Sequence, residues 1–397
     1  MRRVYPWQLG LLLLTFLSCP FMPLVYGAPP RITAGAAYLL DYHTGQTLFA
    51  QNAHDLRAPA SITKLMTVYI IFDALKAGEI DLDHTCIGSV KANEVEGSRL
   101  WVGPGDFVSL EQIIKGILVA SGNDAAIVAA ETIAGTEEAF VERMNAKAQA
   151  LGLTQTQYKN SHGLDEEGHY TTARDTAVLG YSIIRDHPQV LQYTSLTEIY
   201  HVGVSYPLVS QNPLLGNYPG ADGLKTGNTD DAGLCLLGTA QQDGIRLISV
   251  IMGIPQARPE LRYNESCLLL NYGFGSDFIR TTVLHEGELI PSQVEVRRAN
   301  LDSIAVAIAN DVQVVLRSGQ EELLQQVAHL PDKLDAPVYQ GDHIGSLDLF
   351  YDNELIATVP LLAGEDSGEA SFFKALWQDI QEFFLGLFRV VDKPNNP

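Results

Sequence analysis

The chain has 397 residues, 46% of them hydrophobic, which leaves room for two packed units and is too apolar for a disordered polymer. Its 47 acidic residues outnumber 26 basic ones, giving a formal net charge of -21. A phosphate backbone needs a basic face, so nucleic acid is excluded as a partner.

Arg2 and Arg3 precede an apolar run from Leu9 to Leu17, and Val25-Tyr26-Gly27-Ala28 supplies small or modest residues for a cleavage site. Pro20 and Pro23 stop the run well short of the ~20 apolar residues that a membrane span needs, so residues 1–27 are expected to be an export signal cut after Gly27. Cys19 leaves with it. Cys86, Cys235 and Cys267 remain, an odd number without metal-type spacing, and they imply no disulfide framework. One pair can form in an oxidising compartment, and the sequence does not choose it.

Ala36 to Asp41 and Gln46 to Ala50 flank a Tyr42-His43-Thr44-Gly45 turn and predict a hairpin. Ile62, Leu65, Met66, Tyr69, Ile70 and Ile71 then recur with helical period after Pro59, which puts Ser61 at or near a helix start. A second amphipathic stretch, Leu110 to Leu118, ends at Ser121-Gly122, and a small-residue helix runs from Asp124 to Ala134. Ser121 and Asn123 are expected on the connection. Thr136 to Leu151 reads as a further helix stopped by Gly152.

Beyond Gly223 the pattern turns to strands. Gly233 to Ala240 and Arg246 to Met252 make a second hairpin, Lys225-Thr226-Gly227 leads into it, and Arg262 to Phe274 reads as a closing helix. Strands from both ends around central helices predict an α/β (α+β) sandwich of mostly antiparallel sheet, because the βαβ rhythm of a parallel sheet is absent. The expected domains are a catalytic unit over 28–280, a small all-β domain over 281–362 built from short alternating segments, and a polar linker over 363–369. Residues 370–391 follow. There Phe372, Phe373, Leu376, Trp377, Ile380, Phe383, Phe384, Leu387, Phe388 and Val391 recur so that a helix gathers seven or more large apolar groups on one stripe, and this amphipathic helix is expected to lie in a membrane surface by apolar burial. Docking on a protein core is the plainer alternative for that stripe.

Three strings carry the chemistry. In Ser61-Ile62-Thr63-Lys64 the i, i+3 spacing brings an amine to a hydroxyl on one helix face, and the helix start favours developing negative charge. Lysine becomes a base only when its pKa falls from about 10.4 towards roughly 7 to 8, which burial and a second cation both promote. On its own the pattern is an ordinary capped helix that a chain this long contains about once by chance. Ser121-Gly122-Asn123 adds a hydroxyl for proton relay and a carboxamide for a substrate amide, in residues that also suit a plain turn. Lys225-Thr226-Gly227 adds a cation and a hydroxyl, with a glycine that lets an extended substrate approach a strand edge. Their order and placement together predict an acyl-transfer site.

With these motifs, and with Glu96-Gly97-Ser98-Arg99, Gly168-His169-Tyr170-Thr171-Thr172-Ala173-Arg174-Asp175 and Asp222-Gly223-Leu224 around them, the chain resembles the low-molecular-mass penicillin-binding proteins of the D-alanyl-D-alanine carboxypeptidase class. The likeness runs from about Ala36 to Phe274, and the β domain with its terminal helix matches the same plan. It implies a β-lactamase/transpeptidase-like fold, with Ser61 as acylated nucleophile and Lys64 as general base. Ser121, Asn123 and Lys225 would move protons and polarise hydroxyls. Thr226 and Arg262 would bind a terminal carboxylate beside Gly227, and the backbone N–H groups of Ser61 and Asn228 would form the oxyanion hole. Asn228 stands where histidine is common, and the backbone role tolerates that change. The implied partners are peptidoglycan stem peptides, β-lactams and a membrane surface, with no metal or cofactor. His162 and His169 lack a ligand cluster and read as loop or core residues. The implied location is the outer face of the cytoplasmic membrane, peripherally bound. Alternatives are a class A-like β-lactamase, for which Asp165-Glu166-Glu167 offers carboxylates without a following Glu-x-x-Leu-Asn, a DD-endopeptidase, and a non-catalytic wall-binding homologue.

Overall fold

The computed structural model describes residues 28–378 and 380, so the leader over 1–27 and the terminal helix beyond 380 lie outside the described residues. The expected first hairpin is β1 (Ala36–Asp41) with β2 (Thr47–Gln51), paired antiparallel. A tight 3-10 turn, Ala60–Ile62, runs directly into α1 (Thr63–Ala77). Next come β3 (Thr85–Ile87), α2 (Val90–Glu94), β4 (Phe107–Ser109), α3 (Leu110–Leu118), α4 (Asn123–Ala134) and α5 (Glu137–Ala150). Side-chain oxygens of Ser109 and Thr136 accept from the N–H three residues on and cap α3 and α5. Then α6 (Ala173–Asp186), α7 (Val190–Thr194) and the short β5 (Glu198–Ile199) and β6 (Leu208–Val209) lead to β7 (Ala221–Thr229), β8 (Gly233–Gln242), β9 (Ile245–Ile254) and α8 (Glu260–Phe274).

The main sheet of the described residues has the order β2-β1-β9-β8-β7, antiparallel throughout. On one face α8 buries Leu269 and Leu270 against Leu39, Leu247 and Ile251. On the other, α1 and its neighbours bury Tyr69, Phe72, Ile113, Phe140 and Val250 in one cluster. Because β7 stands at the end of the order, its outer edge meets no further strand of this sheet, and the three motifs gather along it.

The second domain is all β, from β10 (Phe278–Leu284), β11 (Leu289–Arg297), β12 (Ser303–Ile308), β13 (Val312–Arg317), β14 (Leu324–His329), β15 (Lys333–Asp335), β16 (His343–Tyr351) and β17 (Glu354–Ala363). β10 pairs with β13, and six strands form a sheet in the order β14-β16-β17-β12-β11-β15 around Val294, Val306, Leu349 and Leu361. The stretch expected as a linker is bonded to this domain, since Ser367 is fully buried and bridges to Val338 while Glu369 bridges to Ala299. Its small polar residues read as a loose connection, yet their backbone groups find strand-like partners. Residues 372–378 are helical and expose Phe372, Phe373 and Trp377. Lys374 holds this helix to Asn300 O and Asp302, at 2.8 and 3.0 Å. No helix among the described residues is long and apolar enough to cross a membrane.

Polar contacts fasten the domains together, among them an ion pair at Asp41 and the amide of Gln46. Asp41, fully buried, accepts from His43 N and Thr44 N in the first turn and pairs with Arg280 Nε at 2.7 Å. Gln46 bonds both backbone groups of Val315, donating to its carbonyl at 3.1 Å and accepting from its N–H at 2.5 Å. Removing one partner of a buried ion pair leaves an uncompensated charge. We therefore expect Arg280→Ala to lower the unfolding free energy by about 3 kcal/mol in denaturant titration. A loss below about 1 kcal/mol would mean that the first-turn N–H groups satisfy Asp41 alone.

Candidate active site

Ser61 stands in the 3-10 turn that opens the helical run of α1, as the spacing predicted. Lys64, one turn on, has no exposed surface, and its Nζ lies 2.9 Å from Ser61 Oγ, 2.6 Å from Asn123 Oδ1 and 2.6 Å from the carbonyl of His162. A neutral amine has two N–H groups and one lone pair. Two of the three neighbours, the amide oxygen and the carbonyl, can only accept, so in the neutral form the lone pair is left for the Ser61 hydroxyl. Burial drives the Lys64 pKa well below its ordinary value and nearby Lys225 pushes the same way, while the buried Asp124 carboxylate opposes both.

Ser121 lies between α3 and α4 with φ +58, in the left-handed region, and its Oγ accepts from Lys225 Nζ at 3.0 Å. Ser121 is thus tied to Lys225, not directly to Lys64. Asn123, expected on the connection, is the first residue of α4. Its N–H donates to Ser98 O at 2.7 Å and its Nδ2 to Glu96 O at 2.5 Å, so a second Nδ2 hydrogen remains for another acceptor.

The third string lies in β7. Lys225 and Thr226 are buried, and burial with the charge of Arg262 brings the Lys225 pKa down to about 7. Gly227 faces the serine turn so closely that a Cβ there would sit 3.0 Å from Ala60 Cβ and 3.4 Å from Ser61 N. Asn228 follows, exposed and paired with Leu234. Arg262, in α8, places Nη2 3.4 Å from Gln211 O and keeps a buried Nε without a partner. All the residues expected in the site therefore converge on one end of β7.

Several contributors lie outside the three strings. Asn160 to His169 folds over α1, where Thr67 Oγ1 donates to Ser161 O and Thr63 Oγ1 meets His169 Nε2. His162 and His169 are buried, and burial lowers both to about 4, so both are neutral at pH 7. It is the carbonyl of His162, not its ring, that reaches Lys64. Glu137 receives Ser161 N and Oγ at 2.9 and 2.6 Å and pairs with Lys91 at 3.0 Å, which fixes this loop. Asp165 bonds Thr229 Oγ1 at 2.6 Å and Asp231 N at 3.1 Å, and Glu166 accepts from Asn160 Nδ2. Among the described residues no group of His, Cys, Asp or Glu is placed as metal ligands would be.

Residues 25–256 match the family described as D-alanyl-D-alanine carboxypeptidase, and residues 278–369 match penicillin-binding protein 5, C-terminal domain. The D-alanyl-D-alanine carboxypeptidase DacF of Bacillus subtilis is 32% identical over 374 residues, covering 93% of this chain and 95% of that protein. Among solved structures, penicillin binding protein 5 from Haemophilus influenzae aligns with a TM-score of 0.75 at 34% identity, over 86% of this chain and 100% of that one. Penicillin-binding protein D2 from Listeria monocytogenes, in its ampicillin bound form, aligns with a TM-score of 0.57 at 30% identity, over 63% of this chain and 100% of that one.

Proposed function

The chain belongs to the D-alanyl-D-alanine carboxypeptidase family of serine peptidases, and from that premise we propose that it removes the last D-alanine of peptidoglycan stem pentapeptides through an acyl-enzyme on Ser61. The observation that carries the reading is the Lys64 amine, fully buried, with two of its three neighbours able only to accept and the third being the Ser61 hydroxyl.

In this mechanism Lys64 takes the Ser61 proton as Oγ attacks the carbonyl of the penultimate residue. The backbone N–H groups of Ser61 and Asn228 receive the oxyanion, a contribution of about 3 to 4 kcal/mol per donor in such sites. Ser121, bonded to Lys225, delivers a proton to the departing D-alanine amine. The peptide lies along the outer edge of β7 as an added strand, with Asn123 Nδ2 on its amide, and its carboxylate meets Thr226, Lys225 and the free Nε of Arg262. Water then releases the acyl group. A β-lactam acylates the same oxygen, and because Asp165 and Glu166 are engaged in loop bonds and no Glu-x-x-Leu-Asn follows them, the chain lacks the deacylating pattern of the β-lactamase alternative.

We place the protein outside the cell, exported by residues 1–27 and held peripherally at the outer face of the cytoplasmic membrane by the aromatic stripe that begins at Phe372 and Phe373. The deciding experiment incubates the protein with a pentapeptide ending in D-Ala-D-Ala and measures free D-alanine. Release by the wild type, and none by Ser61→Ala, together with loss of covalent fluorescent-penicillin labelling, is the expected result. Unchanged release by the variant would end the assignment.

A further inference from the structure

Trp101 has φ +73, a left-handed conformation that bulky side chains rarely adopt, yet the residue is 53% exposed and lies outside the buried core. What holds it there is Asp124. This fully buried carboxylate accepts from Leu100 N at 2.8 Å, Trp101 N at 2.7 Å and Val102 N at 3.1 Å. A strained residue kept against its preference, with its apolar surface in water, points to a ligand.

The loop that carries Trp101 is continuous with the candidate active site, since Asn123 bonds Ser98 O through its N–H and Glu96 O through Nδ2. The Arg99 guanidinium lies 5.3 Å from the Trp101 ring centroid and supports it. Phe107, 74% exposed, follows a few residues on and pairs across strands with exposed Ile87. Tyr200, 68% exposed, is tied to α3 through Gln112 Nε2, and its neighbour His201 lies within electrostatic reach of Asp124 and Asp106. Exposed aromatic side chains thus flank the elements, β4 and α3, that follow this loop.

We propose that Trp101 and its aromatic neighbours form a carbohydrate-binding shelf that holds the glycan strand carrying the stem peptide, so that the cleft takes the peptide while the shelf takes the sugar. Saturated sugar rings offer C–H faces to an indole and hydroxyls to water, which suits side chains with an apolar body and a wet rim. Charge selects among occupants. A net charge of -21 offers no attraction to anionic lipid or to a second copy of the chain, and a neutral sugar face needs none.

The inference rests on the carboxypeptidase reading, and its test keeps the two apart. Trp101→Gly suits the purpose because glycine adopts φ +73 without strain, so the variant folds with a thermal midpoint no lower than wild type. A disaccharide-bearing pentapeptide and the sugar-free pentapeptide are compared as substrates. The expected result is a kcat/KM advantage of roughly three- to tenfold for the sugar-bearing substrate in wild type, abolished in Trp101→Gly, with sugar-free turnover and penicillin labelling unchanged. Equal turnover of both substrates by wild type, or an advantage that survives in the variant, overturns the shelf. Loss of binding to phosphatidylglycerol vesicles in the variant, with the sugar advantage intact, overturns it in favour of lipid. If neither substrate is turned over and Ser61 is not labelled, the carboxypeptidase reading fails, and the shelf is judged separately by quenching of Trp101 fluorescence with a chitotetraose probe. Quenching that is present in wild type and absent in Trp101→Gly supports it, and no difference between the two overturns it.

Discussion

Lys64→Arg is expected to slow acylation of Ser61 by about 10³-fold, measured as the second-order rate of fluorescent-penicillin labelling. Arginine keeps the positive charge and much of the length, but it stays protonated at any working pH and has no lone pair to accept the serine proton. The pH dependence tests the same point. Burial and Lys225 depress the Lys64 pKa, so the amine is neutral above that lowered value and charged below it. Acylation by the wild type should therefore fall as pH drops through the depressed value and recover as pH rises. In Lys64→Arg that limb should vanish, leaving a low and flat rate. Labelling of the variant at a near wild-type rate would mean that another group takes the proton, although among the described residues no other base lies within hydrogen-bond distance of Ser61 Oγ.

Gly163→Ala is expected to damage the site from a position that carries no chemistry. Gly163 has φ +90, and a Cβ there would come 1.9 Å from the Ala60 carbonyl, a backbone atom that cannot swing aside. The left-handed backbone alone costs about 1–3 kcal/mol with an alanine, and the clash adds a forced shift of the turn that holds Ser61. A displacement of about 1 Å at a nucleophile is worth on the order of 10²-fold in rate. Both the thermal midpoint and the acylation rate should fall. Gly78→Ala is the control, because Gly78 also has φ +72 but meets nothing within 4 Å. It should lose stability only, with labelling intact. If Gly163→Ala labels as fast as the control, the Asn160 to His169 loop does not position the serine.

The site was legible in the sequence wherever chemistry is local. The i, i+3 spacing of Ser61 and Lys64 needs only helix geometry, and the placement of Lys225-Thr226-Gly227 on a strand needs only the alternation that follows it. Helix α1 shows where that reading stops. Its apolar period predicts one buried stripe, yet Thr63, Lys64 and Thr67 are buried as well, because a loop about 100 residues later lies over them. Nothing in the residues from 160 to 169 announces that a carbonyl there will meet Lys64 or that Gly163 must lack a side chain. Asp124 and Glu137 read as ordinary first-turn acids of α4 and α5, a role that satisfies local pattern and hides their long-range one. Strand β14 carries no such signal for another reason, as its residues are almost all exposed and it is held by pairing with β16.

The three described cysteines, Cys86, Cys235 and Cys267, are unbonded, and two of them are buried. No covalent staple therefore has to be installed by an oxidant for this architecture to form, and none is available for a reductant to cut. Dithiothreitol in an assay buffer should be harmless, and a reducing bacterial cytoplasm is an adequate place to manufacture the leaderless polypeptide. The sulfur atoms serve here as filler between strands and helices, which frees the molecule from the thiol balance of whatever compartment it works in.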